Sequence, residues 1–210
     1  MKELGIPLFS GNITHDNTIV LTEDNYISVL EANNLTSNLN ANSNYFQTKD
    51  IMDILYNHLR SENIKYNIIT ANPFKERFNN NNDLFIHIRL TDMTTYNPGI
   101  NYYLHAISLI QFDKLYIATD DVHHPIIATI SNKYPETLIV NMDPVKTIQF
   151  GSTCKNLILS YGSFSAIIAY IAFNSNNIYY PDIIYRNEGG CDMFSIPGWT
   201  MINKESYLTL

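Results

Sequence analysis

Three short stretches of the chain place chemically capable side chains at the ends of apolar runs. The first, residues 83–93, reads DLFIHIRLTDM. Side chains alternate along a strand, so Phe85, His87 and Arg89 share one face while Ile86, Ile88 and Leu90 share the other. A buried strand gains nothing by ending in a cation unless something anionic meets it. Arg89 offers a planar, permanently charged fork that matches a pair of phosphate oxygens, and His87 can orient it or donate to a nucleotide. The competing reading is a surface ion pair between Arg89 and Asp92. The second stretch, ATDDVHHP, carries Asp120, Asp121, His123 and His124. These are metal-ligating types, yet an aspartate ahead of Pro125 also suits a helix start, with carboxylate at the cap and proline in the first turn. Capping is the preferred reading, and no metal is expected. The third, LILSYGSFSAIIAYIAF, runs from a strand through Ser160, Gly162, Ser163 and Ser165 into an apolar helix. Backbone N–H groups and hydroxyls converge at such a helix start and can cradle an anion. A serine cap on an ordinary core helix would read the same way.

The elements that must position these residues follow from periodicity. Apolar runs at 84–89, 114–118, 137–140, 156–160 and 177–180 alternate with helix-length segments. This is the pattern of an α/β protein, a parallel sheet with helices on both faces. Ligands of such sheets bind beyond the carboxyl ends of the strands, where all three stretches fall. Organisation changes near residue 80. Before it come short apolar pieces, NTIVL and YISVL, among Asn- and Ser-rich turns, then TKDIMDILYNHLRSENI. Ile51, Leu55 and Leu59 in that segment have helical spacing, with Thr48 as cap. The expected division is a reduced N-terminal region, 1–80, and a nucleotide-binding region, 81–210. No internal repeat is visible.

Composition bounds the function. The chain has 210 residues, 45% of them hydrophobic, enough to bury a core without help. A net charge of -7, from 13 Lys+Arg against 20 Asp+Glu, argues against a nucleic-acid surface, which needs clustered cations. An anionic ligand would need locally placed arginine. Cys154 and Cys191 are the only cysteines and make no disulfide framework, so a reducing, cytoplasmic setting is expected. The N-terminus lacks the apolar stretch of a signal peptide, and no run of 18 apolar residues suggests a membrane span. Asn12 and Asn34 head Asn-x-Thr triplets, which arise by chance in a chain this rich in asparagine.

Taken together, the three stretches resemble motifs of the α1,2-fucosyltransferases of glycosyltransferase family 11. HIRLTD is similar to the family's His-x-Arg-Arg-x-Asp, and LYIATDDVHHPIIATISNKYPE to a second region in which a strand ends in Asp-Asp and a helix follows. CKNLILSYGSFSAIIAYIA resembles a third, typically Cys-Lys-His-Leu-Ile-Leu-Ser-Asn-Ser-Thr-Phe-Ser. NYFQT at 44–48 and IPGWTMIN at 196–203 are similar to flanking segments, so order and spacing hold from about residue 40 to the end. The resemblance implies the C-terminal, Rossmann-like half of a two-domain (GT-B) glycosyltransferase that needs no metal or other cofactor. It implies a nucleoside-diphosphate sugar as donor, GDP-fucose in the family, and a glycan hydroxyl as acceptor, with inversion at the sugar carbon. Its residue roles carry over as His87 near the base, Arg89 at the β-phosphate as the catalytic electrophile, and Ser163 with Ser165 at the phosphates over Phe164.

The sequence departs from the family in four places. The glycine-rich N-terminal motif is absent; Leu90 stands where the family has its second arginine; Ala166-Ile167 replaces Trp-Trp; and Thr147 stands where an aspartate reads guanine. A neutral hydroxyl cannot accept from both guanine N–H groups. Two classes of function are therefore expected: an active glycosyltransferase of fucosyltransferase type, or a non-catalytic nucleotide-sugar-binding module descended from one.

Overall fold

The computed structural model describes residues 1–7, 14–32, 36–41, 46, 48–92, 96–182 and 192–208. Asn12, Asn34, Cys191 and most of segment 44–48 lie outside the described residues. Near the N-terminus, β1 (Thr18–Val20), α1 (Tyr26–Glu31) and β2 (Asn38–Asn40) form a small parallel βαβ unit, with Thr18 opposite Asn38. Helices α2 (Lys49–Arg60) and α3 (Glu62–Ala71) follow. Thr48 caps α2 as its sequence suggests, its hydroxyl accepting from Ile51 N–H at 3.4 Å. Ile51, Met52 and Leu59 of α2 are buried, and full burial of a side chain such as Leu59 contributes roughly 1.5–3 kcal/mol.

Among the described residues the main sheet has six strands: β3 (Leu84–Ile88), β4 (Leu115–Thr119), β5 (Leu138–Ile139), β6 (Asn156–Ile158), β7 (Asn177–Pro181) and β8 (Thr200–Ile202). Their order is β5-β4-β3-β6-β7-β8 and every neighbouring pair is parallel. Between them run α4 (Ile100–Ser108), α5 (Pro125–Lys133), α6 (Pro144–Gly151) and α7 (Ser163–Tyr170), and α8 (Glu205–Leu208) closes the described chain. The chain enters the middle of the sheet at β3, works outward to β5, then returns to lay β6 on the other side of β3. This is the doubly wound, Rossmann-like topology, and its switch point lies between β3 and β6.

Alternation along β3 divides the core in two. Leu84, Ile86 and Ile88 pack with Tyr102, Tyr103 and Ile107 of α4 and with Ile127 and Ile130 of α5. Phe85 faces the opposite layer, where Ile148 and Phe150 of α6, Ile168 of α7, Ile51 and Leu59 of α2 and Ile68 of α3 gather. Leu4 and Ile6 join this second cluster, so residues from the first 80 share a core with the sheet. The contact is close: a Cβ at Gly151 would stand 2.8 Å from the Phe85 ring. All five β3 residues are buried, which is why the strand reads as a continuous apolar run broken only by His87.

Candidate functional site

The carboxyl ends of β3 and β6 bring His87, Ser160 and Ser165 together. His87 Nδ1 lies 2.6 Å from Ser165 Oγ and 3.2 Å from Ser160 Oγ. Ser165 Oγ also accepts from the backbone N–H of Ser160 at 3.2 Å. The imidazole packs against the Phe164 ring with centroids 4.9 Å apart. Burial lowers the His87 pKa to about 4; Asp120 acts in the opposite sense and Arg89 adds to the depression. His87 is therefore a neutral imidazole at physiological pH, oriented through Nδ1 by the two hydroxyls.

Arg89 follows β3 directly and forms a bidentate pair with Asp92, Nε to Oδ1 at 2.7 Å and Nη2 to Oδ2 at 2.5 Å. The side chains of this pair are 35% and 59% exposed. The hydrogen bond to Asp92 is the main reason the arginine's pKa is raised, and in return it holds the Asp92 carboxyl below its usual range. Of the two readings of HIRLTD the structure shows the surface ion pair, and it forms at the end of β3, beside the switch point.

Asp120 and Asp121 do not cap α5. His124 is the N-cap, its Nδ1 accepting from Ile126 N–H at 3.2 Å, with Pro125 at the first helical position as expected. Asp120 instead reaches across to the end of β3, accepting from Leu90 N–H at 2.7 Å, Thr91 N–H at 3.2 Å and the Thr91 hydroxyl at 2.6 Å. Burial works against its charge, but the bonds from Thr91 and Leu90 hold its pKa below the usual carboxylate range. Asp121 accepts from His123 N–H at 3.0 Å in a local turn. Among the described residues no three His, Cys, Asp or Glu side chains converge as a metal set.

The helices at the switch point start differently from their neighbours. α5 is capped by His124, and α6 by Asp143, whose carboxylate accepts from Lys146 N–H at 2.9 Å. α4 and α7 begin instead at Gly99 and Gly162, with φ of 84° and 111°, and no side chain caps either helix. Positive φ favours glycine at both positions, and a Cβ there would meet nothing within 4 Å. Among the described residues no side chain accepts from the first-turn N–H groups of α4 or α7, a helix start that suits an anion.

Two expected ligand-facing residues point elsewhere. Ser165 is fully buried, its hydroxyl committed to His87 and Ser160 beneath the helix start, so of the two serines only Ser163 is exposed. Thr147 is buried within α6 and its hydroxyl donates to the Met142 carbonyl at 3.4 Å. Sequence reading missed Asn97, which donates to the Arg89 carbonyl at 2.9 Å and accepts from Gly99 N–H at 2.9 Å, tying the start of α4 to the end of β3. The Asn97-Pro98-Gly99 turn signal was the clue to that helix start.

No family model matches the sequence, and no curated protein is significantly similar. Among solved structures, the chain is similar to NodZ, an α1,6-fucosyltransferase co-crystallised with GDP, at 15% identity and a TM-score of 0.48 over 76% of this chain and 59% of that one. The same enzyme soaked with GDP-fucose gives 16% and 0.45, over 74% and 58%. Fucosyltransferase NodZ from Bradyrhizobium gives 15% and 0.46, over 74% and 58%. The chain spans under two thirds of the length of these proteins.

Proposed function

We propose that the chain is a glycosyltransferase of fucosyltransferase type whose residues 81–210 hold a nucleoside-diphosphate sugar, GDP-fucose being the family's donor, and whose residues 1–80 serve the acceptor side. The observation that carries this reading is the pair of glycine-led, side-chain-uncapped helix starts at the switch point, with Arg89 and neutral His87 at the strand end between them. Helix N-termini and an arginine fork favour a diphosphate without a cation. In the reaction, the bond between the sugar's anomeric carbon and the β-phosphate oxygen breaks as an acceptor hydroxyl oxygen bonds to the opposite face, and the hydroxyl proton is lost. Negative charge grows on the leaving diphosphate, where Arg89 and the first-turn N–H groups of α7, together with the Ser163 hydroxyl, stabilise it. His87 donates or accepts through Nε2, its Nδ1 being held by Ser165 and Ser160.

A second reading, a nucleotide-sugar-binding module without catalysis, is favoured by one observation: Arg89 is already engaged by Asp92, and Leu90 supplies no second cation. Calorimetric titration with GDP, UDP, ADP and dTDP tests the shared premise, and release of GDP from GDP-fucose with a glycan mixture separates the two. Absence of binding by any nucleoside diphosphate would remove both.

A further inference from the structure

We infer that Asp120 is a positioning residue for Arg89: from the neighbouring strand it pins the chain that carries the arginine, and it backs the guanidinium when its fork turns from Asp92 to the diphosphate. This rests on the donor-site reading above and specifies what aims the arginine of that site.

Register puts the two residues side by side. β3 and β4 run parallel with Ile88 opposite Thr119, so Arg89 and Asp120 are the next residues out along neighbouring strands. Beyond that last ladder pair the Asp120 carboxylate takes the place of a strand partner. Its Oδ1 accepts from Leu90 N–H at 2.7 Å, and its Oδ2 from Thr91 N–H at 3.2 Å and the Thr91 hydroxyl at 2.6 Å. The Arg89 carbonyl, on the other edge of the same peptide unit, accepts from Asn97 Nδ2 at 2.9 Å. Both polar groups of the Arg89–Leu90 peptide are thus held by side chains, and the Leu90 side chain that follows is buried. The root of the arginine side chain is fixed in direction.

These bonds serve β3 rather than the surroundings of Asp120 itself. α5 is capped by His124, and the turn before it is closed by Asp121 accepting from His123 N–H. An aspartate serving α5 would bond forward along the chain, whereas Asp120 bonds 29 and 30 residues back. The guanidinium is also within its reach, Arg89 Nε lying 4.0 Å from Asp120 Oδ2. Asp92 grips the fork through Nε and Nη2 but is 59% exposed, whereas Asp120 is 28% exposed and anchored by the Leu90 and Thr91 donors. When diphosphate oxygens take Nη2 from Asp92, an anchored carboxylate remains behind Nε.

The sign of the effect separates positioning from bare charge. A carboxylate that merely stands beside an anion seat repels the anion, so its removal tightens binding. A carboxylate that aims the cation does the opposite, and its effect vanishes once the cation is gone.

The test is calorimetry with inorganic pyrophosphate and GDP on wild type, Asp120→Asn, Thr91→Val, Arg89→Ala and each of the first two combined with Arg89→Ala, with urea unfolding to show that every variant is folded. The amide of Asp120→Asn keeps the shape but cannot accept all three bonds, and pyrophosphate binding is expected to weaken by about tenfold. Thr91→Val leaves the charge in place and removes one donor, and is expected to weaken binding by roughly a few-fold. In the Arg89→Ala background neither substitution is expected to lower affinity further, a coupling that a general loosening of the fold would not produce. Pyrophosphate affinity that rises or stays unchanged in Asp120→Asn, or that falls by the same factor with and without Arg89, would overturn the positioning role. Should Asp120→Asn fail to fold, Thr91→Val decides alone, and wild-type affinity there would overturn it equally. Failure of wild type to bind pyrophosphate or GDP would overturn the donor-site reading itself.

Discussion

The ion pair between Arg89 and Asp92 makes opposite predictions for its two members. If Arg89 grips the β-phosphate, it must turn its fork from Asp92 to the ligand, so the carboxylate competes with the diphosphate for one cation. The pair in the free protein is exposed, 35% and 59%, and is screened accordingly. A contact formed under a bound nucleotide loses that screening. A charge-assisted hydrogen bond of this kind contributes on the order of 1.5–3 kcal/mol, roughly ten- to a hundredfold in affinity. Arg89→Ala is therefore expected to weaken GDP binding by at least about tenfold, with loss toward the low end of that range because wild type first breaks the pair. Asp92→Asn keeps the shape of the loop but removes the competing charge, and is expected to tighten GDP binding. Calorimetry with GDP and guanosine reads both variants; guanosine, lacking phosphate, is expected to respond to neither. Equal GDP affinity in wild type and Arg89→Ala would take the arginine out of the site. Weaker binding by Asp92→Asn, matching Arg89→Ala, would show that the carboxylate aims the arginine rather than competing for it, and would refute the reasoning about competition.

Other consequences follow from burial and backbone geometry. His87 has its pKa depressed to about 4 in the folded protein against 6.5 in the unfolded chain, so the unfolded state binds the extra proton first as pH falls. Stability is expected to be fully present above about pH 6.5 and to decline toward pH 4, by up to about 3 kcal/mol from this residue. Urea unfolding at several pH values is expected to show a shallower decline for His87→Asn, and an unchanged slope would count against the burial. Gly162→Ala meets no steric obstacle but places a Cβ at φ 111°, so a loss of roughly 1–3 kcal/mol by urea unfolding is expected from backbone strain alone. Gly151→Ala drives a methyl into the Phe85 ring and is expected to cost a similar amount, roughly 1–3 kcal/mol, by overpacking; stability equal to wild type would contradict the packing of α6 on β3. Burial pushes the Cys154 thiol up to about 12, so peptide mapping after iodoacetamide treatment at pH 8 is expected to find it unmodified in the native protein and modified in urea.

How much of this was legible in the sequence depends on whether the cause is local. β3, β4 and β6 announce themselves because parallel strands covered on both faces are apolar throughout, and α2 does so through its spacing and the Thr48 cap. β8 escaped notice because three residues, Thr200–Ile202, inside a turn-rich segment give no periodicity to read. β5 was expected over four residues and pairs over two, as the exposed edge strand of the sheet among the described residues. Pro125 was placed correctly at the start of α5, but propensity favours aspartate over histidine as a cap, and the true cap is His124 because Asp120 is drawn 30 residues back to the N–H groups of Leu90 and Thr91.

The site itself shows the same limit more sharply. Arg89–Asp92 and Asp143–Lys146 are contacts between residues three apart and can be guessed from spacing. The contact that orients His87 joins it to a serine 78 residues away, and nothing in either segment alone distinguishes a hydroxyl that faces a ligand from one that faces an imidazole. Topology decides between them. Once β6 returns to lie beside β3, the first turn of α7 passes over the end of β3, and the side chain three positions into that helix points down onto His87 while the one at its start remains outside. Ser165 thereby holds the histidine while Ser163 stays exposed at the proposed anion seat, a division that Ser165→Ala and Ser163→Ala separate experimentally. The first is expected to cost stability, roughly 1–3 kcal/mol by urea unfolding, because it strips a buried partner from both His87 and the Ser160 N–H. The second is expected to leave stability unchanged and to weaken pyrophosphate binding. The reverse pattern would mean that the helix start is turned about its axis relative to the strand, and that the anion seat proposed at α7 is wrongly placed.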